Sequence, residues 1–272
     1  MRTDVPVYTA EVAARRSVTP NMVRITLRGA RTADGELFVS CGRPDEFFGL
    51  WVPSAEGGDA KRYYSVRAWR PEQDELDVDF VIHAAGPATR WARDARVGER
   101  VSFDLPRGHY VVPSHAERVL VVGDATALPA IGRILDERPP DGPSVHAILS
   151  VDDIADRQGF PIREGDVLRW VAADAILVAV VEATAEAIPT YLWFSGESST
   201  MREIRRHLRH ELGWPTAHYM TMGYWRRDAE RWNEKFDREA ALPDQLAAIW
   251  ENGEDDETQR DLADALLSRY GL

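Results

Sequence analysis

The sequence predicts two folded domains of different class, an antiparallel β-barrel followed by a parallel α/β domain. Short runs of β-branched residues separated by turn residues fill the first part of the chain, which is typical of a barrel or sandwich. Beyond residue 118, continuous apolar runs alternate with helical segments, as they do around a parallel sheet. We place the barrel at residues 1–114, the α/β domain at 115–227 and a helical tail at 228–272.

The barrel is predicted from six strands and one helix. Near alternation of apolar and polar residues indicates the strands, and turn residues separate them. The strands are expected at residues 5–14, 21–28, 47–52, 63–69, 76–83 and 100–105. The helix is expected at residues 87–95, where Pro87 suits the first turn.

The second part is predicted from five strands, three helices and the tail. The strands are expected at residues 119–122, 145–151, 167–171, 191–194 and 217–222, and the helices at 126–137, 172–183 and 198–212. In the tail, apolar residues from Trp232 to Trp250 fit one face of helical segments. The acidic run 251–257 is expected to be a solvated loop, and a last helix is expected at 261–269.

Composition excludes several classes of function. The 272 residues are 44% hydrophobic and 29% charged, which suits a protein with a buried core. The formal net charge of −12 argues against a nucleic-acid partner. No apolar run reaches the roughly 20 residues of a membrane-spanning helix, and no signal sequence is visible, so we expect no membrane insertion and a cytoplasmic protein. Cys41 is the single cysteine, and no cysteine or histidine cluster has metal-ligand spacing.

Two segments of the predicted barrel suit a ligand that carries phosphate. Arg62 and Tyr64 share one face of a strand, and the planar fork of an arginine matches phosphate oxygens, although an ordinary surface strand explains them equally well. Residues 86–91 follow another strand and open a helix, where free amides and the helix dipole favour an anion. Trp91 suits core packing at least as well as a site, and His83 suits a strand end better than catalysis.

Two segments of the predicted α/β domain end strands, where open α/β sheets bind ligands. Residues 123–131 lack the G-x-G-x-x-G fingerprint, yet the helix opening offers amides, with Thr126 as a helix cap in the alternative reading. Gly196 ends another strand, where a nicotinamide has room to approach. Arg202 and Arg205 lie one helical turn apart and suit a 2′-phosphate, or equally a solvated face paired with neighbouring glutamates.

In this order, the segments resemble the siderophore-interacting protein family, the flavin-dependent ferric-siderophore reductases. The resemblance extends to about residue 227 and rests on residues 22–27, 62–67, 79–83, 86–91, 123–131, 196–197, 204–208 and 223–226. It implies a ferredoxin-reductase-like architecture, in which the barrel binds FAD and the second domain binds NADPH or NADH. Arg202 and Arg205 favour NADPH over NADH, because they suit a 2′-phosphate.

The resemblance also implies which residues contact the two cofactors. The strand at residues 62–67 holds the flavin, and residues 86–91 hold its pyrophosphate side. Residues 123–126 lie between flavin and nicotinamide, and the aromatic pair 224–225 covers the flavin region. The full expected set is Arg62, Tyr63, Tyr64, Ser65, Arg67, Val81, His83, Gly86, Pro87, Ala88, Thr89, Trp91, Gly123, Asp124, Thr126, Ala127, Gly196, Glu197, Arg202, Arg205, Tyr224 and Trp225.

The implied reaction is reduction of an iron(III)–siderophore by NAD(P)H, with chemistry centred on the flavin and no catalytic side chain. Lys61, Arg43, Arg226 and Lys235 are candidates for a basic rim that attracts an anionic siderophore, or else are solvated surface charges. A general flavin or ferredoxin-type reductase with a protein partner, ferredoxin as the electron donor, and a siderophore carrier without turnover remain alternatives. The tail is expected to cover the flavin, pack on the barrel or form a dimer face.

Overall fold

The computed structural model of the chain describes residues 7–53, 57–82 and 86–272, except for the side chains of Glu230 and Asp256. It confirms the predicted architecture, because a closed antiparallel barrel precedes a five-stranded parallel sheet. Within these ranges, no helix is both long enough and apolar enough to span a membrane.

Six strands form the barrel. They are β1 (Tyr8–Thr19), β2 (Met22–Arg31), β3 (Phe47–Pro53), β4 (Asp59–Arg70), β5 (Glu75–Val81) and β6 (Arg100–Phe103), and they close in the order β1-β2-β5-β4-β3-β6. In the first half of β1, Tyr8, Ala10 and Val12 are buried while the residues between them are more exposed. The period-two pattern that predicts this strand therefore also selects its core face.

Five parallel strands and three helices form the second domain. The strands are β7 (Arg118–Gly123), β8 (Ser144–Ser150), β9 (Val167–Val171), β10 (Thr190–Glu197) and β11 (Tyr219–Trp225), in the order β11-β10-β7-β8-β9. Helix α1 (Pro87–Asp94) belongs to the barrel, and α2 (Leu128–Glu137), α3 (Ile176–Thr184) and α4 (Ser198–Arg206) belong to the sheet. Every residue of β7 and β10 is buried, which explains their continuous apolar runs.

Several predicted helix boundaries differ from the structure; the helix expected at 172–183, for example, begins as α3 at Ile176 after a 3₁₀ turn at Ala173–Ala175. The helix expected at 126–137 begins at Leu128, because Oδ1 of Asp124 accepts hydrogen bonds from the amide and the hydroxyl of Thr126. Thr126 therefore lies in a turn and does not cap the helix. The helix expected at 198–212 ends as α4 at Arg206 and continues as the wider π-helical segment His207–Glu211.

The tail forms three helices with a small core of their own. They are α5 (Ala229–Arg238), α6 (Leu242–Trp250) and α7 (Asp256–Arg269). Leu242, Leu266 and Leu272 are buried at their centre. The tail docks on the α/β domain, because acidic side chains of α7 form ion pairs with Arg205. The prediction of a solvated loop at 251–257 is therefore wrong at the end of that range, because Glu257 is a buried residue of α7.

Buried polar contacts fix the barrel against the sheet. Arg133 of α2 pairs with Glu46 at 2.8 Å, and both side chains are almost fully buried. The indole Nε1 of Trp193 donates a hydrogen bond of 3.2 Å to Asp45. A buried polar group without a partner destabilises the folded protein, so these contacts favour one orientation of the two domains.

Candidate functional site

A cavity of about 560 Å³ lies between the barrel and the end of β11. It is lined by Phe47, Lys61, Arg62, Tyr63, Tyr64, Ser65, Asp79, Val81, Gly86, Pro87, Ala88, Thr89, Arg107, Thr126, Pro129, Met222, Gly223, Tyr224 and Trp225. Three of the four segments singled out in the sequence meet in this lining. The cavity therefore combines residues of both domains, as a site for two cofactors requires.

Strand β4 supplies the barrel wall of the cavity. The ring of Tyr64 packs against Phe80 with the centroids 4.2 Å apart, which fixes its orientation. The next residue, Ser65, is buried and donates a hydrogen bond of 3.3 Å to the hydroxyl of Tyr224. The Arg62 guanidinium is exposed and donates to the carbonyl of Lys61. The wall thus carries an aromatic ring, a hydroxyl pair and an accessible cation.

The start of α1 supplies an anion site on the same side. Gly86 precedes the helix with a φ of 130°, a conformation that favours glycine, and Pro87 occupies the first turn. No side chain caps the helix among the described residues. Its first amides therefore remain available to a ligand such as a pyrophosphate, aided by the helix dipole.

The carboxyl ends of β7, β10 and β11 are joined through Asp124. Its Oδ2 accepts hydrogen bonds from the amide of Glu197 at 3.0 Å and the indole of Trp225 at 2.7 Å. A Cβ at Gly196 would lie 2.7 Å from this oxygen, so the strand end tolerates no side chain there. Burial raises the pKa of Asp124, although the donors from Thr126, Trp225 and Glu197 oppose that rise.

Glu197 holds the beginning of α4 and the end of β11 together. Its Oε2 accepts from the amides of Ser199 and Thr200, and its Oε1 accepts from the amide of Arg227 at 3.2 Å. Although burial alone would raise the pKa of Glu197, these hydrogen bonds lower it. Glu197 is therefore a helix cap held in its ionised form.

Tyr224 is a half-buried titratable group of the cavity. Burial raises its pKa to about 12, against the opposing hydrogen bonds of Ser65 and Ser195. The phenol is consequently neutral at physiological pH and keeps its proton.

Two cationic side chains, Lys61 and Arg107, lie close to aromatic rings at the edge of the cavity. Lys61 pairs with Asp104 at 2.6 Å, and its Nζ lies 5.4 Å from the ring centroid of Tyr63. The Arg107 guanidinium pairs with the same carboxylate at 3.3 Å and lies 5.6 Å from the ring centroid of Phe47. One carboxylate therefore faces two cations, and the edge keeps a net positive charge.

Several residues expected in the site lie elsewhere. Arg67 pairs with Asp136 of α2 at 2.7 Å, and Trp91 packs edge-to-face on Phe80 in the barrel core. Arg205 is buried among carboxylates of α7, which already neutralise its charge, so its binding of a 2′-phosphate stays a prediction that these ion pairs disfavour. Gly123, Ala127 and Arg202 lie outside the lining, and His83 lies outside the described residues.

Of the four basic residues expected to attract a substrate, Lys61 is the one in the lining as described. Arg43 donates to the carbonyl of Tyr110, and Lys235 donates to the carbonyl of Gly271 within the tail. Arg226 lies over the ring of Trp232 at 4.3 Å. These three cations have structural partners away from the cavity.

Six lining residues are absent from the expected set, although Asp79, Pro129 and Gly223 lie in segments that carry the resemblance; the other three are Phe47, Arg107 and Met222. Phe47 reaches the cavity because it pairs with Ser65 in the β3–β4 register. Gly223 could have been predicted from the sequence, because it directly precedes the aromatic pair at the end of β11. For Arg107 the sequence offers only its position in the turn that follows β6, which indicates a site weakly.

The comparisons with known proteins agree with this geometry. Residues 49–110 match the siderophore-interacting FAD-binding domain, and residues 116–228 match the siderophore-interacting protein model. FAD is therefore the cofactor that the barrel domain binds. The tail beyond residue 228 lies outside both matches.

Individual relatives were also found. The chain is 28% identical over 239 residues to the ferric vibriobactin reductase ViuB of Vibrio cholerae, covering 78% of this chain and 87% of ViuB. It is 31% identical over 227 residues to the mycobactin import ATP-binding/permease protein IrtA of Mycolicibacterium smegmatis, covering 80% of this chain. The match spans only 26% of the length of IrtA.

Solved structures confirm the fold. A siderophore utilization protein from T. fusca superposes with a TM-score of 0.74 at 28% identity, covering 83% of this chain and 95% of that one. The ferredoxin reductase of carbazole 1,9a-dioxygenase superposes with a TM-score of 0.62 at 18% identity, covering 83% of this chain and 71% of that one. The predicted ferredoxin-reductase-like architecture is therefore confirmed.

Proposed function

The chain belongs to the siderophore-interacting protein family, and on that premise we propose that it reduces iron(III)–siderophore complexes with electrons from NADPH or NADH. FAD, when bound, accepts two electrons from a nicotinamide and delivers them one at a time. Iron(II) binds oxygen-donor siderophores far less tightly than iron(III), so reduction releases the metal. The single observation that carries this proposal is the cavity shared by β4, α1 and the end of β11.

The residues of the cavity fit FAD. The exposed guanidinium of Arg62 and the open amides of α1 suit the two phosphates of a dinucleotide. Tyr64 and Ser65 present a ring and a hydroxyl group to a flavin ring system, and Tyr224 and Trp225 face them from the sheet. The neutral phenol of Tyr224 holds a proton that it can donate to an acceptor in the cavity.

The strand ends beside the cavity suit a nicotinamide. Gly123 and Gly196 end β7 and β10 where neighbouring protein atoms leave no room for a side chain, while Asp124 fixes the indole of Trp225 as the adjacent wall. Because α7 neutralises Arg205, Arg202 is the remaining candidate of that pair for a 2′-phosphate. Comparing NADPH with NADH as the reductant in an anaerobic titration therefore decides which nucleotide the protein uses.

The cationic edge suits an anionic iron complex. Lys61 and Arg107 lie on aromatic faces with one carboxylate between them, so they attract negative charge without binding iron themselves. The reaction needs the complex to reach the flavin and needs no iron ligands from the protein.

The test is an anaerobic absorbance titration of the protein with FAD. We expect the flavin bands to bleach with NADPH or NADH and to return with a ferric siderophore, while an iron(II) chelator develops colour. Bleaching without reoxidation by the complex would assign the electrons to another acceptor, such as a ferredoxin. Failure to bind FAD would leave a siderophore carrier as the better description and would overturn the proposal.

Substitutions connect the activity to the cavity. Arg62→Gln should weaken FAD binding about tenfold or more, because a charge-assisted phosphate contact contributes roughly 1.5–3 kcal/mol. Lys61→Met should raise KM for an anionic siderophore and leave FAD affinity unchanged. The matched control is Arg169→Gln, which removes an exposed arginine on β9 that pairs with Glu182.

A further inference from the structure

Two histidines meet near the amino-terminal ends of the parallel strands, at the opposite end from the cavity. His115 lies in the connection that enters β7, and His218 directly precedes β11. Their Nε2 atoms are 3.0 Å apart, and the ring centroids are 4.7 Å apart at an interplanar angle of 45°. His115 is exposed and His218 is half-buried, so the pair is open to solvent.

Both imidazoles extend from backbone turns that begin with proline. The amide of Ala116 donates to the carbonyl of Pro113 at 3.0 Å, which closes the turn around His115. The amide of His218 donates to the carbonyl of Pro215 at 2.9 Å. Proline fixes one backbone dihedral in each turn, which restricts the backbone that carries the two histidines.

The distance between the nitrogens matches a shared metal ion. Two imidazole nitrogens that each lie about 2.0–2.1 Å from zinc at a tetrahedral angle are roughly 3.3 Å apart. The observed separation of 3.0 Å is close to this value, and it also suits a hydrogen bond between the two rings when no ion is bound. We propose that His115 and His218 bind one divalent transition-metal ion, of the zinc, nickel or copper class that imidazole prefers.

The remaining coordination positions belong to water. Within the described residues, no group of three or more histidine, cysteine, aspartate or glutamate side chains is placed to hold a metal. The site is therefore a two-ligand clamp that exchanges its ion. A bound ion would tie the connection between the domains to the start of β11 across the intervening strand β10.

The test is isothermal titration of untagged, chelator-treated protein with Zn²⁺, Ni²⁺ and Cu²⁺ in turn. We expect one ion per chain, with the tightest binding for Cu²⁺, and a rise in Tm of a few degrees at saturation. His115→Gln and His218→Gln should each lower the affinity at least tenfold. Glutamine can still form a hydrogen bond but is a poor metal ligand. If the two histidines are only hydrogen-bonded to each other, wild type and the two glutamine variants should therefore show the same metal affinity.

The control is His210→Gln, which removes an exposed histidine of the α/β domain that lies 3.4 Å from Asp261. Binding should be unchanged in this variant. Equal affinity in wild type and both pair variants, or an equal loss in the control, would overturn the proposal. The experiment needs neither FAD nor turnover, so its outcome is independent of the proposed reductase activity.

Discussion

The indole of Trp225 donates a 2.7 Å hydrogen bond to Asp124, joining the end of β11 to the turn after β7. Burial raises the pKa of this carboxyl group, and the indole is one of the donors that oppose the rise. A raised pKa in the folded state means that the group favours folding most when it is protonated. Its contribution to stability therefore falls as the pH rises through the folded pKa.

Trp225→Phe should destabilise the fold more at neutral pH than at acidic pH. The variant keeps a ring but leaves the Asp124 carboxylate with one donor fewer, which should cost about 1–3 kcal/mol at pH 7. At acidic pH the carboxyl group is protonated and needs the donor less. Urea unfolding at several pH values measures the difference, with Trp250→Phe in the exposed part of the tail as the control. A loss independent of pH would contradict this account.

Arg133→Met should cost about 3–5 kcal/mol, because it leaves the buried carboxylate of Glu46 without its ionic partner. Within the described ranges, the donors that remain to Glu46 are the hydroxyl of Ser40 and the amide of Cys41. Chemical unfolding monitored by tryptophan fluorescence measures the loss. Arg169→Met, in an exposed pair with Glu182, should cost no more than about 1 kcal/mol. Similar values for the two variants would show that the contact between the domains contributes little.

Local patterns predicted most of the fold because they report local geometry. Alternation along β1 and the continuous apolar run of β7 follow directly from one buried face and two buried faces. The segment after β7 could be placed at a ligand site because every parallel strand ends at the same edge. These inferences need no knowledge of distant partners.

The docking of the tail had no comparable signal. Glu257 and Asp264 lie 52 and 59 residues beyond Arg205, and nothing in the spacing of arginines on α4 tells a ligand phosphate from a distant carboxylate. Phe47 and Arg107 enter the cavity edge through strand pairing and a shared contact with Tyr63, which again depend on tertiary structure. Ion pairs between residues far apart in the sequence, and the register of strand pairing, therefore could not be predicted from the sequence.

Arg205→Met should release the tail while the rest of the fold persists. The change leaves Glu257, Asp261 and Asp264 without the cation at their centre, at a cost of about 3–5 kcal/mol. Hydrogen exchange followed by mass spectrometry should show faster exchange in residues 228–272 and unchanged exchange in β7 and β10. The control is Arg206→Met, whose exposed guanidinium lies 4.0 Å from Glu211 and should leave the tail protected. Protection of the tail in both variants would mean that its apolar contacts suffice.

Asp166→Asn should remove part of the acid sensitivity of the α/β domain. Burial alone would raise the pKa of Asp166, but the guanidinium of Arg138 and the amides of Arg163 and Val145 lower it to about 2. A lowered folded pKa gives stability that is present above the unfolded value and is lost as the pH falls through the folded one. Wild type should therefore lose about 2 kcal/mol at this position between pH 5 and 2.

The difference in unfolding free energy between wild type and Asp166→Asn isolates this contribution, because other carboxylates titrate in both proteins. It should be largest at neutral pH and shrink toward pH 2. Asp141→Asn, in an exposed turn nearby, should give a small difference that does not depend on pH. Asparagine keeps the shape of the side chain but lacks the charge that pairs with Arg138 at 2.5 Å. If the difference in unfolding free energy for Asp166→Asn did not change with pH, the charge of Asp166 would not contribute to stability and the prediction would be wrong.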